Sequence, residues 1–500
     1  MSKQRPNLIV ISSDELRGDT PGFTGNPDCK TPHLDRLAGR SVVFTNHFTV
    51  HGKCLPSRIA MMTGRYCHTD GFRAIHNTNL LDPGTPNLLS FLKSHGYETA
   101  YLGHNHVFRN LHTGKNAKGE SESDYHSFTE GALAECLKKS HPVQQPDAQS
   151  VPESRSAEAV NFQTIRRTEP LTGFCDDNRA DQAVHYLRTV RDRSRPFYLH
   201  LNFSAPHPDY AVEEPYFSMY DRDAIVPFEH GMPTGAPLWL QRGRAVRTGR
   251  ATEAHFRHVQ AVYYGMVTKL DTLIGRVLAE IDTQDLWRDT MVMFWVDHGD
   301  FAGQYGQPEK WDTAMNDCLM HVPQTLCAPG LPCGQRVASL TGHTDLCPTI
   351  LDLFGLAPGP EWMIHGESLL PLIRGAPGRD CVFADGGHEA AMRARFNTPV
   401  AQFNAATQRE EPTTQGKQAT YSCYPETMAR VKMVRTANWK LCVRETGDHE
   451  LYDLRIDPNE MRNLWGRAEH RDVVLDLQMK LLQWNLRTDT DRPYQDKVGA

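Results

Sequence analysis

The chain has 500 residues, with 54 Lys and Arg against 60 Asp and Glu, a formal net charge of −6. This length exceeds the usual size of one domain and can bury a large core without a disulfide framework, so two domains are expected. So small an imbalance argues against a nucleic-acid or membrane-surface partner, and any anionic substrate must be met by a local cluster of cations.

At the N-terminus, Met1 to Pro6 pass directly into an apolar run without a charged leader. No apolar span reaches the length of a transmembrane helix, and twelve scattered cysteines show neither a Cys-x-x-Cys pair nor a zinc spacing. A reducing, cytoplasmic location is the expectation.

The first run, Leu8-Ile9-Val10-Ile11, ends in Asp14-Glu15. Cys54-Leu55-Pro56-Ser57-Arg58 then opens a short helix, with Pro56 in its first turn and Gly64 ending it. A helical stretch from Asn87 to Leu92 precedes a second run, Thr99-Ala100-Tyr101-Leu102, which leads into His104-Asn105-His106. Residues 112–172 are polar and aperiodic, as are 222–250 and 386–426, and read as lids, substrate-binding insertions or disordered surface. A helix over Asp181 to Arg191 precedes the third run, Phe197 to Phe203, which leads into Pro206-His207-Pro208. Tyr263, Met266, Leu270, Leu273, Val277 and Ile281 follow a near-3.6 period, and the fourth run, Met291 to Val296, ends in Asp297-His298-Gly299-Asp300.

Continuous apolar runs alternating with helices predict an α/β fold: a large, mixed but mostly parallel sheet flanked by helices, with ligands at the carboxyl ends of its strands. After Gly375-Ala376-Pro377-Gly378 the pattern changes to short, near-alternating segments at Val431–Val434, Trp439–Val443 and Glu450–Leu454, followed by an amphipathic stretch from Val473 to Trp484. The expected division is a catalytic α/β domain over 1–378 and a smaller α+β domain with an antiparallel sheet over 379–500.

Cys54 is expected just before a helix N-terminus, whose free N–H groups favour an anion, and Arg58 adds a positive fork one turn on. From Cys54 through Met62-Thr63-Gly64-Arg65 the segment resembles the sulfatase signature. The chain is thereby identified as similar to type I sulfatases of the alkaline phosphatase superfamily. That resemblance implies an alkaline-phosphatase-like fold, a formylglycine-generating enzyme as maturation partner, and oxidation of Cys54 to a formylglycine nucleophile. It also implies hydrolysis of a small-molecule or carbohydrate sulfate ester with one divalent ion, Ca²⁺ first, with Mg²⁺ or Mn²⁺ compatible.

The matching positions assign Asp14, Glu15, Cys54, Asp297 and His298 to the metal. Glu15 stands where the family has a second aspartate. Cys54, Arg58, His104, His106, His207 and Lys310 match catalytic positions, with His207 expected against the transferring group and Lys310 on the ester oxygens. His104 departs from the family's Gly-Lys-x-His, replacing a permanent cation by a group with a pKa of about 6.5. Arg17-Gly18-Asp19 and Ala74 to Thr78 resemble the phosphonate monoester hydrolase branch, so a phosphonate monoester or phosphodiester is the alternative substrate. The intact set argues against a binding protein on a dead scaffold. The oligomeric state is left open, a homo-oligomer included.

Overall fold

The computed structural model describes residues 5–71, 81, 85–103, 105, 107–108, 125–127, 164–167, 176–249, 251–393 and 420–489. Strands are numbered along the chain. Eight of them, β1 (Asn7–Asp14), β2 (Val42–Phe44), β4 (Glu98–Gly103), β5 (Tyr125–Ser127), β7 (Phe197–Pro206), β9 (Thr290–Val296), β10 (Gln324–Cys327) and β11 (Arg336–Val337), form one sheet in the order β11-β2-β10-β9-β1-β7-β4-β5. β3 (His47–Phe48) pairs with β12 (Thr341–Gly342), and β6 (Thr164–Arg167) with β8 (Tyr210–Glu213). Within the large sheet only β10 runs against its neighbours β2 and β9.

The four apolar runs are the four adjacent central strands β9, β1, β7 and β4, all parallel. Their continuous apolarity follows from burial on both faces, because successive side chains point to opposite sides. Ile9, Ile11, Val292, Phe294 and Val296 enter the core under helices Pro32–Gly39, Asp176–His185 and Glu253–Thr283. Leu8, Val10, Met291, Met293 and Trp295 enter the opposite core, under Cys54–Thr63, Leu88–Ser94 and Leu346–Phe354.

Three segments differ from the sequence expectation. The stretch 222–250 contains a helix, Leu238–Arg247, whose buried stripe of Trp239, Leu240, Gly243 and Arg247 is masked by intervening Gln and Arg. The helix expected from Asp181 begins at Asp176 and ends in a π-helical turn, Tyr186–Val190. Within 112–172, Tyr125–Ser127 and Thr164–Arg167 form strands.

The later part of the chain folds into a four-stranded antiparallel sheet, β13 (Cys381–Gly386), β14 (Val431–Thr436), β15 (Trp439–Arg444) and β16 (Glu450–Asp453), joined in that order. Helix Arg471–Thr488 lays Leu477, Leu481 and Trp484 on this sheet, in a core that also takes Val50, Ala60, Tyr66 and Cys67 from around the Cys54 helix. The antiparallel sheet therefore braces the segment that carries the nucleophile candidate. Among the described residues no helix is long and apolar enough to cross a membrane.

Candidate active site

β9, β1, β7 and β4 lie side by side, so their carboxyl ends are neighbours. Three of them deliver Asp297, Asp14 and, just past Pro206, His207 to one edge. The fourth leads towards His104 and His106, which lie outside the described residues.

The fifth contribution comes from helix Cys54–Thr63. Cys54 is its first residue, not the one before it, and Gly64 ends it with a φ of 70°, as the sequence predicts. The Cys54 thiol is 99% buried and donates to Asp14 Oδ1 at 3.3 Å. His298 Nε2 lies 3.2 Å from the same sulfur. His298 Nδ1 is 2.9 Å from the Gly299 carbonyl, which can only accept, so Nδ1 carries a hydrogen and Nε2 faces the site. Gly299 is obligatory here, since a Cβ would stand 1.9 Å from the Cys318 carbonyl oxygen.

Arg58 is wholly enclosed and its fork is fully engaged. Nε donates to Asp297 Oδ2 at 2.8 Å, Nη1 to Asn202 Oδ1 at 2.8 Å, and Nη2 to Asp14 Oδ2 at 3.2 Å. The sequence reading aimed this side chain at the substrate. The structure places it beneath Cys54, tying two strand-end carboxylates together. Ser57 supports the same platform, donating to the Asp297 carbonyl at 2.6 Å while its oxygen lies 2.8 Å from His343 Nδ1.

Burial pushes the Asp14 carboxyl up, but Arg58, His207, Lys310 and His298 together hold it well below the usual carboxylate range. Asp297 is pushed up instead, by burial and by the charge of Asp14. Burial, Asp14 and Asp297 likewise push the Cys54 thiol far up. Two enclosed carboxylates thus share one arginine, a deficit of positive charge that a divalent cation would relieve.

The donor set fits such an ion. Ligating atoms of Asp14, Cys54, Asp297 and His298 all lie within 4.8 Å of one another, and a second group, Asp14, Glu15, Cys54 and His207, overlaps it. The Glu15 backbone N–H donates to Asp297 Oδ1 at 3.2 Å, while its side chain belongs to the second group. Its carboxylate meets Lys310 Nζ, and His207 Nε2 stands 3.4 Å from Oε1. Lys310, expected on the ester oxygens, therefore reaches the site in partnership with Glu15. His207 is 36% exposed in its side chain, the open side of an otherwise enclosed cluster.

A family profile described as Sulfatase matches residues 6–356. The chain belongs to the sulfatase family. Curated relatives of this sulfatase include arylsulfatase K of Mus musculus, 25% identical over 96% of this chain and 79% of the relative. Another is the multifunctional alkaline phosphatase superfamily protein PehA of Trinickia caryophylli, 27% identical over 96% and 95%. Among solved structures, the phosphonate monoester hydrolase of Agrobacterium radiobacter superposes with a TM-score of 0.73 at 22% identity, covering 97% of this chain and 96% of that one. A protein solved in complex with its substrate D-glucosamine-2-N,6-O-disulfate gives 0.69 at 18%, covering 97% and 98%. These likenesses establish an alkaline-phosphatase-like fold.

Sequence reasoning missed Asn202 as part of this sulfatase's site. An asparagine inside an apolar strand is a signal in hindsight, because a buried amide needs polar partners, and here its oxygen accepts from Arg58 Nη1.

Proposed function

We propose that this protein hydrolyses sulfate esters with Cys54, converted to formylglycine, as nucleophile. The observation that carries the proposal is the Cys54 side chain at a helix N-terminus, within 3.3 Å of Asp14 and His298, over carboxylates clamped by Arg58. Asp14, Asp297, His298 and residue 54 would hold the divalent ion, with Glu15 beside them. When bound, that ion would neutralise ester oxygens and favour the ionised nucleophile. Hard carboxylate oxygens suit Ca²⁺ or Mg²⁺, and the histidine admits Mn²⁺.

The chain's own residues do the rest. Asp14, kept ionised, accepts hydrogen bonds from the group at position 54 and so orients it. One hydroxyl of the hydrated aldehyde attacks sulfur, and the S–O bond to the leaving alcohol breaks. Deprotonation of the other hydroxyl then expels sulfate by C–O cleavage and restores the aldehyde. Lys310 and His207 flank the open side, where charge develops on the ester.

The same machinery suits a phosphonate monoester or phosphodiester, a reading favoured by the structural likeness to a phosphonate monoester hydrolase. Rates on 4-nitrophenyl sulfate and on a phenyl phosphonate monoester, with protein co-expressed with a formylglycine-generating enzyme, decide between them. Sulfate preference supports the first reading, phosphonate preference replaces it, and no turnover of either overturns both.

A further inference from the structure

Two glutamates beside the candidate active site adopt left-handed backbone conformations, Glu15 at φ 66° and Glu309 at φ 59°. A non-glycine residue holds such a conformation only where its surroundings over-determine it. Each glutamate adjoins a site residue, Glu15 following Asp14 and Glu309 preceding Lys310, and each turn is held by the hydroxyl of a buried tyrosine. The Tyr263 hydroxyl donates to the Glu15 carbonyl at 2.7 Å and accepts from Arg17 N–H at 3.0 Å. The Tyr210 hydroxyl accepts from Glu309 N–H at 2.8 Å and donates to Asp300 Oδ1 at 2.7 Å.

The second arrangement reaches further. Tyr210 is 1% exposed and lies three residues after His207, while Asp300 lies three after Asp297. One hydroxyl therefore links the three loops that carry His207, the Asp297-His298 pair and Lys310. The Asp300 turn is itself secured by Ala302 N–H on the same carboxylate oxygen at 2.6 Å, and by Arg17 Nη1, 3.1 Å from both the Asp300 and Phe301 carbonyls. Arg247 fixes the other side, donating to the Pro308 carbonyl at 3.1 Å with Glu309 Oε2 at 3.7 Å. The backbone also joins the two turns, Phe301 N–H donating to the Glu309 carbonyl at 2.8 Å, and the tyrosine hydroxyl adds the side-chain bridge between Asp300 and Glu309. It can do so because a phenol donates and accepts at one atom.

We infer that Tyr210 is a positioning residue for catalysis, setting the place of Lys310 relative to the metal-ligand loop through the chain Asp300–Tyr210–Glu309. This rests on the proposed hydrolase reading, in which Lys310 serves the ester. A displacement on the order of 1 Å in such a group costs roughly 10²-fold.

The test is a kinetic double-mutant cycle on the full chain carrying formylglycine, with 4-nitrophenyl sulfate and a phenyl phosphonate monoester as probes. Tyr210→Phe keeps the ring against Tyr263 and removes both hydrogen bonds. It is expected to lower kcat/KM by roughly 10–100-fold, within the range for a group that places an electrostatic partner. Lys310→Ala is expected to lower it by about 10²-fold or more. In the Lys310→Ala background, Tyr210→Phe should change the rate by less than about 3-fold, because the group it positions is gone. A merely structural tyrosine would give effects that multiply, and that result overturns the inference, as does an unchanged rate in Tyr210→Phe. Tyr264→Phe, which removes a buried hydroxyl next to Tyr263 on helix Glu253–Thr283, should leave kinetics intact. If Tyr210→Phe does not fold, Asp300→Ala breaks the same chain from its other end and must show the same dependence on Lys310. Should Lys310→Ala itself be fully active, it is the role of Lys310 in the proposed hydrolase reading that fails.

Discussion

Replacing Arg58 by methionine isolates the clamp beneath the site. The side chain keeps an unbranched apolar stem and loses three hydrogen bonds, two at 2.8 Å and one at 3.2 Å, to Asp297, Asn202 and Asp14. Hydrogen bonds to charged partners contribute about 1.5–3 kcal/mol each, but they share one fork and do not add. Removing one partner from a buried ion pair costs about 3–5 kcal/mol, so roughly 4 kcal/mol is expected. The sign with pH follows from Asp14, whose folded pKa lies well below 3.8. Its contribution is fully present above the unfolded value and is lost as pH falls through the folded one, so the loss in the variant is complete at neutral pH. By size scaling that corresponds to a fall in Tm on the order of 4–8 °C. Thermal unfolding followed by circular dichroism in chelator at pH 7.5 reads it directly. Arg58→Lys keeps the charge but cannot span three acceptors, and should recover at most half. A methionine variant melting within about 1 °C of the parent would refute the clamp.

Protein from a host that makes formylglycine should show the Cys54 peptide lighter by about 18 Da, and Cys54→Ala should fold normally without turnover. An unmodified, fully active Cys54 would contradict this. A chelator should remove activity and Ca²⁺, Mg²⁺ or Mn²⁺ restore it, while Asp297→Asn weakens ion binding measured by calorimetry. Unchanged ion affinity in that variant would place the ion elsewhere. His51 is buried and held neutral, its pKa pushed down to about 4 by burial against the pull of Asp385 and Asp312. The unfolded chain therefore binds a proton first, and stability present above about pH 6.5 falls between there and pH 4, by about 3 kcal/mol for this residue. His51→Phe should flatten the fall of the urea midpoint over that window. An identical acid limb would show that His51 is not buried neutral.

Much of this molecule is legible in one dimension. The runs at Leu8, Thr99, Phe197 and Met291 are largely apolar because strands covered on both faces have no solvent side, and that pattern points to a parallel sheet. Asp14, His207 and Asp297 stand immediately after such runs, where α/β sheets collect ligands, and the segment from Cys54 to Arg65 carries its family likeness in consecutive residues. Local signals also end the Cys54 helix at Gly64, since a left-handed cap is a property of the glycine itself.

Tertiary structure decided how those groups are used. Arg58 reads as an anion-binding fork, yet its acceptors come from three separate strands, and no spacing in sequence states which carboxylates will surround a buried guanidinium. Glu15 reads as a metal ligand and does stand in a group that could hold an ion, but only the fold shows that its carboxylate also meets Lys310, nearly three hundred positions away in the chain. Tyr210 has no motif at all. Its role exists only because folding brings the turns at Asp300 and Glu309 to opposite sides of one hydroxyl, and hydrogen bonding at that range depends on distances that the order of residues does not encode.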